Sequence, residues 1–231
     1  RQGCEICATH ASLDCFRGNT CLGSLLPSQK ALTVSIFREP LDKTLARYYF
    51  QKSRADTMAS NLPHHGSIEE YVRNCGRRGI GEAWKRCPNE YTEILAKSGK
   101  PHAAIGALKE LDVIGLTEEY DDFPVMVAIK LNWPLEWLTY KRLKTILGRP
   151  KVEDHSPQVL DAFRIILQDD IKVYEAARDL AHERKAATPH FQDFRRRFDE
   201  LQLKVDQSCR FENHASGLQG LDCYHVKNAR R

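Results

Sequence analysis

Apolar and β-branched residues cluster at Ala31-Leu32-Thr33-Val34, ahead of Ser35-Ile36-Phe37-Arg38-Glu39-Pro40. The pattern predicts a buried strand that ends in a cationic turn, followed by an amphipathic helix. Pro40 suits the first turn of that helix, where its missing N–H costs nothing, and Asp42 lies near the positive end of the helix dipole. Residues Ser53 to Gly66 are poor in apolar positions and contain Pro63-His64-His65-Gly66, which predicts an exposed loop. Ser67, with Glu70 three residues on, predicts a capping box for a helix through Tyr71 and Val72.

Further along, Glu82 to Lys97 reads as helical with an interruption at Pro88, and Pro101 opens a helix through Leu111. Val113 to Leu116 predicts a short buried strand. Thr117 is the expected cap of a helix from Glu118 to Leu131 whose Phe123, Val127 and Leu131 share one face. Ser156 caps Gln158 to Gln168. Asp169-Asp170 begins a long helix with Ile171, Tyr174, Ala177 and Leu180, and a last amphipathic helix runs from about Pro189 to Val205. Its Arg195-Arg196-Arg197 run reads as a solvated face, with contact to a polyanion as the alternative. The layout is mostly α, with no internal repeat and no low-complexity segment.

A chain of 231 residues can bury a sizeable core, so residues 1–231 are expected to form one domain, with 188–231 as a C-terminal helix and tail. The net charge of +4 is too small to argue for nucleic acid. No run of about twenty apolar residues is present to span a bilayer. Eight cysteines fall into local groups, Cys4, Cys7, Cys15 and Cys21, then Cys75 and Cys87, then Cys209 and Cys223. An even count in local pairs suits disulfides in an oxidising compartment, and Cys209–Cys223 would staple the tail. The alternative is structural zinc on Cys4 and Cys7 with Cys15, Cys21 or His10, or on Cys209, His214, Cys223 and His225. Neither set matches a standard zinc spacing, and no metal is the expectation.

Arg38 is predicted to stand at the carboxyl end of a strand, where open α/β sheets bind ligands, and a guanidinium is well shaped for a phosphate. The stretch from Ser35 through Arg38-Glu39-Pro40 to Tyr48-Tyr49-Phe50 resembles the sulfotransferases that use 3′-phosphoadenosine 5′-phosphosulfate (PAPS). Within them it is most similar to the Golgi heparan sulfate and uronyl 2-O-sulfotransferase group, which ends this motif in Tyr-Tyr-Phe. Thr9-His10-Ala11-Ser12-Leu13-Asp14 resembles the segment carrying that family's catalytic base, and Asp112 to Phe123 its strand–Gly–Leu–Thr–Glu–helix element. The resemblance covers roughly residues 8 to 185.

The resemblance implies an α/β, P-loop-like fold with a short parallel sheet flanked by many helices, and transfer of a sulfuryl group from PAPS to a glycan hydroxyl. His10 is then the candidate base, and Arg38, Ala46, Arg149 and Lys151 line the donor's adenosine and 3′-phosphate. Arg47 and Tyr48 face the acceptor, and Cys75 pairs with Cys87. It further implies the Golgi lumen, reached through an N-terminal anchor absent from this sequence, with a homo-oligomer left open. Three departures stand out. The family's first strand and phosphosulfate loop are missing, which a truncated chain would explain, since residue 1 is Arg. Ala46 occupies the place of a phosphate-binding Ser, and Arg47 that of a tyrosine. A noncatalytic relative that binds an anionic glycan or a protein is the rival expectation.

Overall fold

The computed structural model describes residues 32–57, 66–75, 90–96, 98–141, 149–210 and 222–223. β1 (Val34–Phe37) and β2 (Val113–Leu116) pair in parallel, with Val34 opposite Val113 and Phe37 opposite Leu116. Four helices lie between them in sequence, α1 (Pro40–Thr57), α2 (Ile68–Asn74), α3 (Glu90–Leu95) and α4 (Pro101–Leu108). After β2 come α5 (Asp122–Leu131), a 3-10 turn (Leu135–Leu138), a second 3-10 turn (Val152–Asp154), α6 (Pro157–Ile166), α7 (Gln168–Ala186) and α8 (Phe191–Ser208). A two-residue antiparallel ladder, β3 (Cys209–Arg210) with β4 (Asp222–Cys223), ends the described chain. The described residues are mostly helical around a two-stranded parallel sheet, compatible with the α/β class.

All four residues of β2 are buried, as a strand covered on both faces requires. Ile114 and Leu116 join Phe37, Leu95, Leu108, Val173 and Ala177 in a core shared with α3, α4 and α7. Val113 points the other way, into a core with Val125, Leu135, Phe191 and Phe198 from α5, its 3-10 turn and α8. A third cluster joins α1, α2 and α6 through Leu45, Tyr48, Tyr71 and Phe163. Side chains pin the entry to the sheet: the Asp112 carboxylate accepts hydrogen bonds from the Thr33 N–H and hydroxyl, both at 2.9 Å.

Several elements depart from the sequence pattern. Only Phe37 of β1 is buried, and Val34 is exposed. α1 continues through Thr57, so Ser53 belongs to a helix and not to the expected loop. α5 starts at Asp122, four residues late, because Glu118–Asp121 form turns in which the Glu119 N–H bonds the Leu116 carbonyl. That helix buries Val125, Met126 and Ala128 besides Val127, a broader face than Phe123, Val127 and Leu131 predict. α4 ends at Leu108, and residues 109–111 close in turns rather than extending it. Ser156 precedes α6 but makes no side-chain cap, whereas Ser67 does cap α2, accepting the Glu70 N–H at 3.3 Å.

Arg195 is drawn out of its expected solvated face, bonding Asp122 at 2.8 Å and Asp121 at 3.2 Å as well as Asp199. The three acids outbid water because they converge from α8 itself and from the turn into α5. Arg196 and Arg197 are exposed as expected. The β3–β4 register sets Cys209 opposite Cys223. Cys75 is disulfide-bonded, but Cys87, expected to pair with it, lies outside the described residues, so those residues do not support that pairing. No helix among the described residues is long and apolar enough to cross a membrane.

Candidate functional site

β1 and β2 run in the same direction, so their carboxyl ends open on one edge, and the residues that follow them, Arg38-Glu39 and Thr117-Glu118, meet there. The Thr117 N–H bonds the Phe37 carbonyl at 2.8 Å, closing the ladder. Past it, α1 begins, and the Glu39 carboxylate accepts the Asp42 N–H at 2.6 Å in the manner of an N-cap. Glu118 joins the two strand ends: one oxygen accepts the Glu39 N–H at 2.9 Å and the other accepts the Tyr174 hydroxyl at 3.1 Å. Burial, helped by the nearby Asp42 and Glu118 carboxylates, pushes the Glu39 carboxyl above its ordinary range. Burial, then Glu118, likewise raises the Tyr174 hydroxyl.

Two guanidiniums converge on Asp42. Arg38 donates from Nε at 2.7 Å and approaches with Nη2 at 2.5 Å, both to Oδ2. Arg149 donates from Nη2 to Oδ1 at 2.7 Å and from Nη1 to the Asp42 carbonyl at 3.3 Å. The three side chains are all partly exposed, so the cluster opens to solvent. Two arginines that grip two oxygens of one anion present the chemistry with which phosphates are held. In this arrangement the anion between them is the chain's own carboxylate.

Tyr91 supports the cluster from behind. Its hydroxyl accepts the Arg38 N–H and donates to the Arg38 carbonyl, each at 2.8 Å. Its ring meets Phe37 edge-on with centroids 5.2 Å apart, and the Lys43 ammonium sits over the ring, 3.7 Å from its centroid. Asp170, only 3% exposed, accepts the N–H groups of Tyr91 and Thr92 at 3.2 and 3.1 Å and the Thr92 hydroxyl at 3.0 Å. Burial raises the Asp170 carboxyl, though these hydrogen bonds oppose it.

Other residues singled out in the sequence take different places. Ala46 is half-buried one turn after Asp42 and brings no hydroxyl to the cluster. Thr44 cannot substitute, because its hydroxyl is turned back onto the Pro40 carbonyl at 2.8 Å. Lys151 is exposed and its N–H bonds the Asp154 carboxylate at 2.7 Å, opening a 3-10 turn. Arg47 bonds Glu90 at 2.6 Å, a carboxylate it shares with Lys43 at 2.9 Å. Burial would raise Glu90, but the two cations outweigh it and hold the carboxyl below its ordinary range; Lys43 itself is lowered, chiefly by burial. Tyr48 is 2% exposed within the core shared by α1, α2 and α6, and it donates to the Gly66 carbonyl at 3.1 Å. His10 lies outside the described residues, as do residues 1–31 generally.

The structure therefore brings together Arg38 and Arg149 and adds Asp42, Tyr91, Asp170 and Glu118, of which the sequence motifs include Asp42 and Glu118 but assign none a place in a site. Among the described residues no cluster of three or more His, Cys, Asp or Glu is arranged to hold a metal ion. The chain matches no family model, no curated protein and no solved structure.

Proposed function

We propose that the chain is a PAPS-dependent carbohydrate O-sulfotransferase of P-loop-like fold, with Arg38 and Arg149 as ligands of the donor's 3′-phosphate. The observation that carries this reading is the convergence of both arginines, one from a strand end and one from a distant loop, on a single anion position. The resemblance of the sequence around Arg38 gives that position its ligand. In the reaction an acceptor hydroxyl oxygen bonds to sulfur, the bond from sulfur to the nucleotide phosphate oxygen breaks, and the hydroxyl proton passes to a base, for which His10 is the candidate. The two guanidiniums anchor the nucleotide while charge builds on its phosphate. Even cysteine usage and the resemblance both favour a Golgi-lumenal setting with a glycan as acceptor.

Two observations favour a second reading, a noncatalytic relative that binds an anionic glycan or a protein. Asp42 already pairs with both arginines, and Ala46 lacks the hydroxyl that the resemblance calls for. Calorimetry with adenosine 3′,5′-bisphosphate against 5′-AMP separates the two. The enzyme reading expects tighter binding of the bisphosphate, weakened by Arg38→Ala and by Arg149→Ala. Equal affinity for both nucleotides removes the cofactor site and leaves the binding-protein reading.

A further inference from the structure

We propose that Tyr91, held by Asp170, is a positioning residue that aims Arg38, so that preference for a 3′-phosphate depends on a tyrosine hydroxyl that never touches the ligand. The inference rests on the reading of Arg38 as a phosphate ligand.

Arg38 follows the last ladder bond of the sheet, the one from the Thr117 N–H to the Phe37 carbonyl. Beyond that bond nothing in the sheet fixes the Arg38 backbone. One hydroxyl takes over both of its polar groups, accepting the N–H and donating to the carbonyl at 2.8 Å each. Water could satisfy the same two groups, but only a tethered hydroxyl fixes the peptide planes on either side of the Cα and hence the direction in which the side chain leaves. An arginine has four side-chain torsions to order, so a fixed root removes part of the cost of bringing its fork onto an anion.

The tether is itself held. Tyr91 stands in the first turn of α3, and Asp170, from the first turn of α7, accepts its N–H together with both donors of Thr92. The first turn of a helix leaves such N–H groups without partners of their own, and a buried carboxylate satisfies them with charge-assisted bonds. Phe37 fixes the ring against β1. Burial, above all, raises the Tyr91 hydroxyl above its ordinary 10.0. The path runs from α7 through α3 to the end of β1, with hydrogen bonds at both joints.

The test uses the full chain and Tyr91→Phe, which keeps the ring against Phe37 and deletes only the hydroxyl. Calorimetric titration with adenosine 3′,5′-bisphosphate is expected to show about a tenfold loss of affinity, while 5′-AMP binding stays unchanged. Asp170→Asn is expected to act in the same direction; Tyr91→Phe carries the test should that variant not fold. An unchanged preference between the nucleotides, or an equal loss for both, overturns the positioning role. Lack of preference in the unmutated chain instead overturns the phosphate reading. The positioning role is then read without ligand, from the NMR signal of Arg38 Nε–H, which Tyr91→Phe is expected to shift or broaden; an unmoved signal overturns it.

Discussion

Arg149 and Asp42, 107 positions apart in sequence, are joined by a 2.7 Å bond between guanidinium and carboxylate, and Arg149 also donates to the Asp42 carbonyl at 3.3 Å. The pair ties the segment before the second 3-10 turn to the first turn of α1. Because Arg38 grips the other oxygen, Asp42 stands between two cations and offsets part of their repulsion.

Asp42→Asn is therefore expected to destabilise the chain by about 1–2 kcal/mol at low salt, a drop of roughly 3–6 °C in melting temperature. Millimolar inorganic phosphate should recover much of the loss, since it can take the vacated anion position and binds only the folded form. Thermal melts with and without phosphate check this. A variant that melts like the unmutated chain in both conditions would show that the two arginines do not need the carboxylate.

Gly115 lies in β2 opposite Ile36, and a Cβ there would come within 2.5 Å of Phe123 Cδ2 and 2.8 Å of Phe123 Cβ. The ring belongs to α5, packed against this strand, and its Cβ cannot swing aside as the tip of a flexible side chain would. Gly115→Ala is expected to cost about 1–3 kcal/mol, the usual penalty of overpacking a close-packed interior. Chemical denaturation gives the value directly. A cost below half a kcal/mol would mean that α5 can move off the sheet cheaply.

How much of this was legible depended on distance along the chain. β2 was readable because Val113-Ile114-Gly115-Leu116 is a short apolar run with polar neighbours, and Arg38 was placed at a strand end by Pro40 and the run before it. Arg149 entered through the resemblance, which assigns a basic loop to the nucleotide. Tyr91 and Asp170 carried no such signal: a tyrosine in a short helix and an acid in a helix's first turn are ordinary, and only the packing of α3 between β1 and α7 gives them a role. The late start of α5 has the same origin. Thr117 and Glu118 look like a helix opening, but Glu118 is claimed by the Glu39 N–H and the Tyr174 hydroxyl, both distant in sequence. Arg195 reads as solvated in the sequence because two of its three acids, Asp121 and Asp122, stand more than seventy residues upstream.

The register of β3 and β4 sets Cys209 opposite Cys223. A cross-link between them is expected, closing a loop of about fifteen residues and contributing roughly 3 kcal/mol by restricting the unfolded chain. Proteolysis without reductant followed by mass spectrometry should recover the two cysteines in one linked peptide pair. Recovery of Cys209 as a free thiol, or joined to one of the N-terminal cysteines, would rule the staple out.

Glu119, in the turn before α5, bonds Lys185 of α7 at 2.5 Å and His182 at 2.8 Å, and Lys185 also bonds Asp122 at 2.7 Å, which Arg195 holds from α8. Burial alone would raise Glu119, but the hydrogen bonds from Lys185 and His182 outweigh it and hold the carboxyl below its ordinary 4.5. Burial alone would lower Lys185, and Asp122 and Glu119 together hold it above its ordinary 10.5. A lowered carboxyl contributes its stability in full above its unfolded value and loses it as pH falls through the folded one. A raised ammonium contributes in full below its unfolded value and loses it as pH rises through the folded one. The latch is thus at full strength between those two limits. With Glu119 38% exposed, solvent screening keeps its worth to about 0.5–1 kcal/mol. Glu119→Gln should lower stability by about that amount near neutral pH, and the gap between the two chains should close as pH falls from 4.5 through the lowered folded value of the carboxyl. Urea denaturation across this range decides it: a gap that persists undiminished into acid would assign the loss to packing and not to charge.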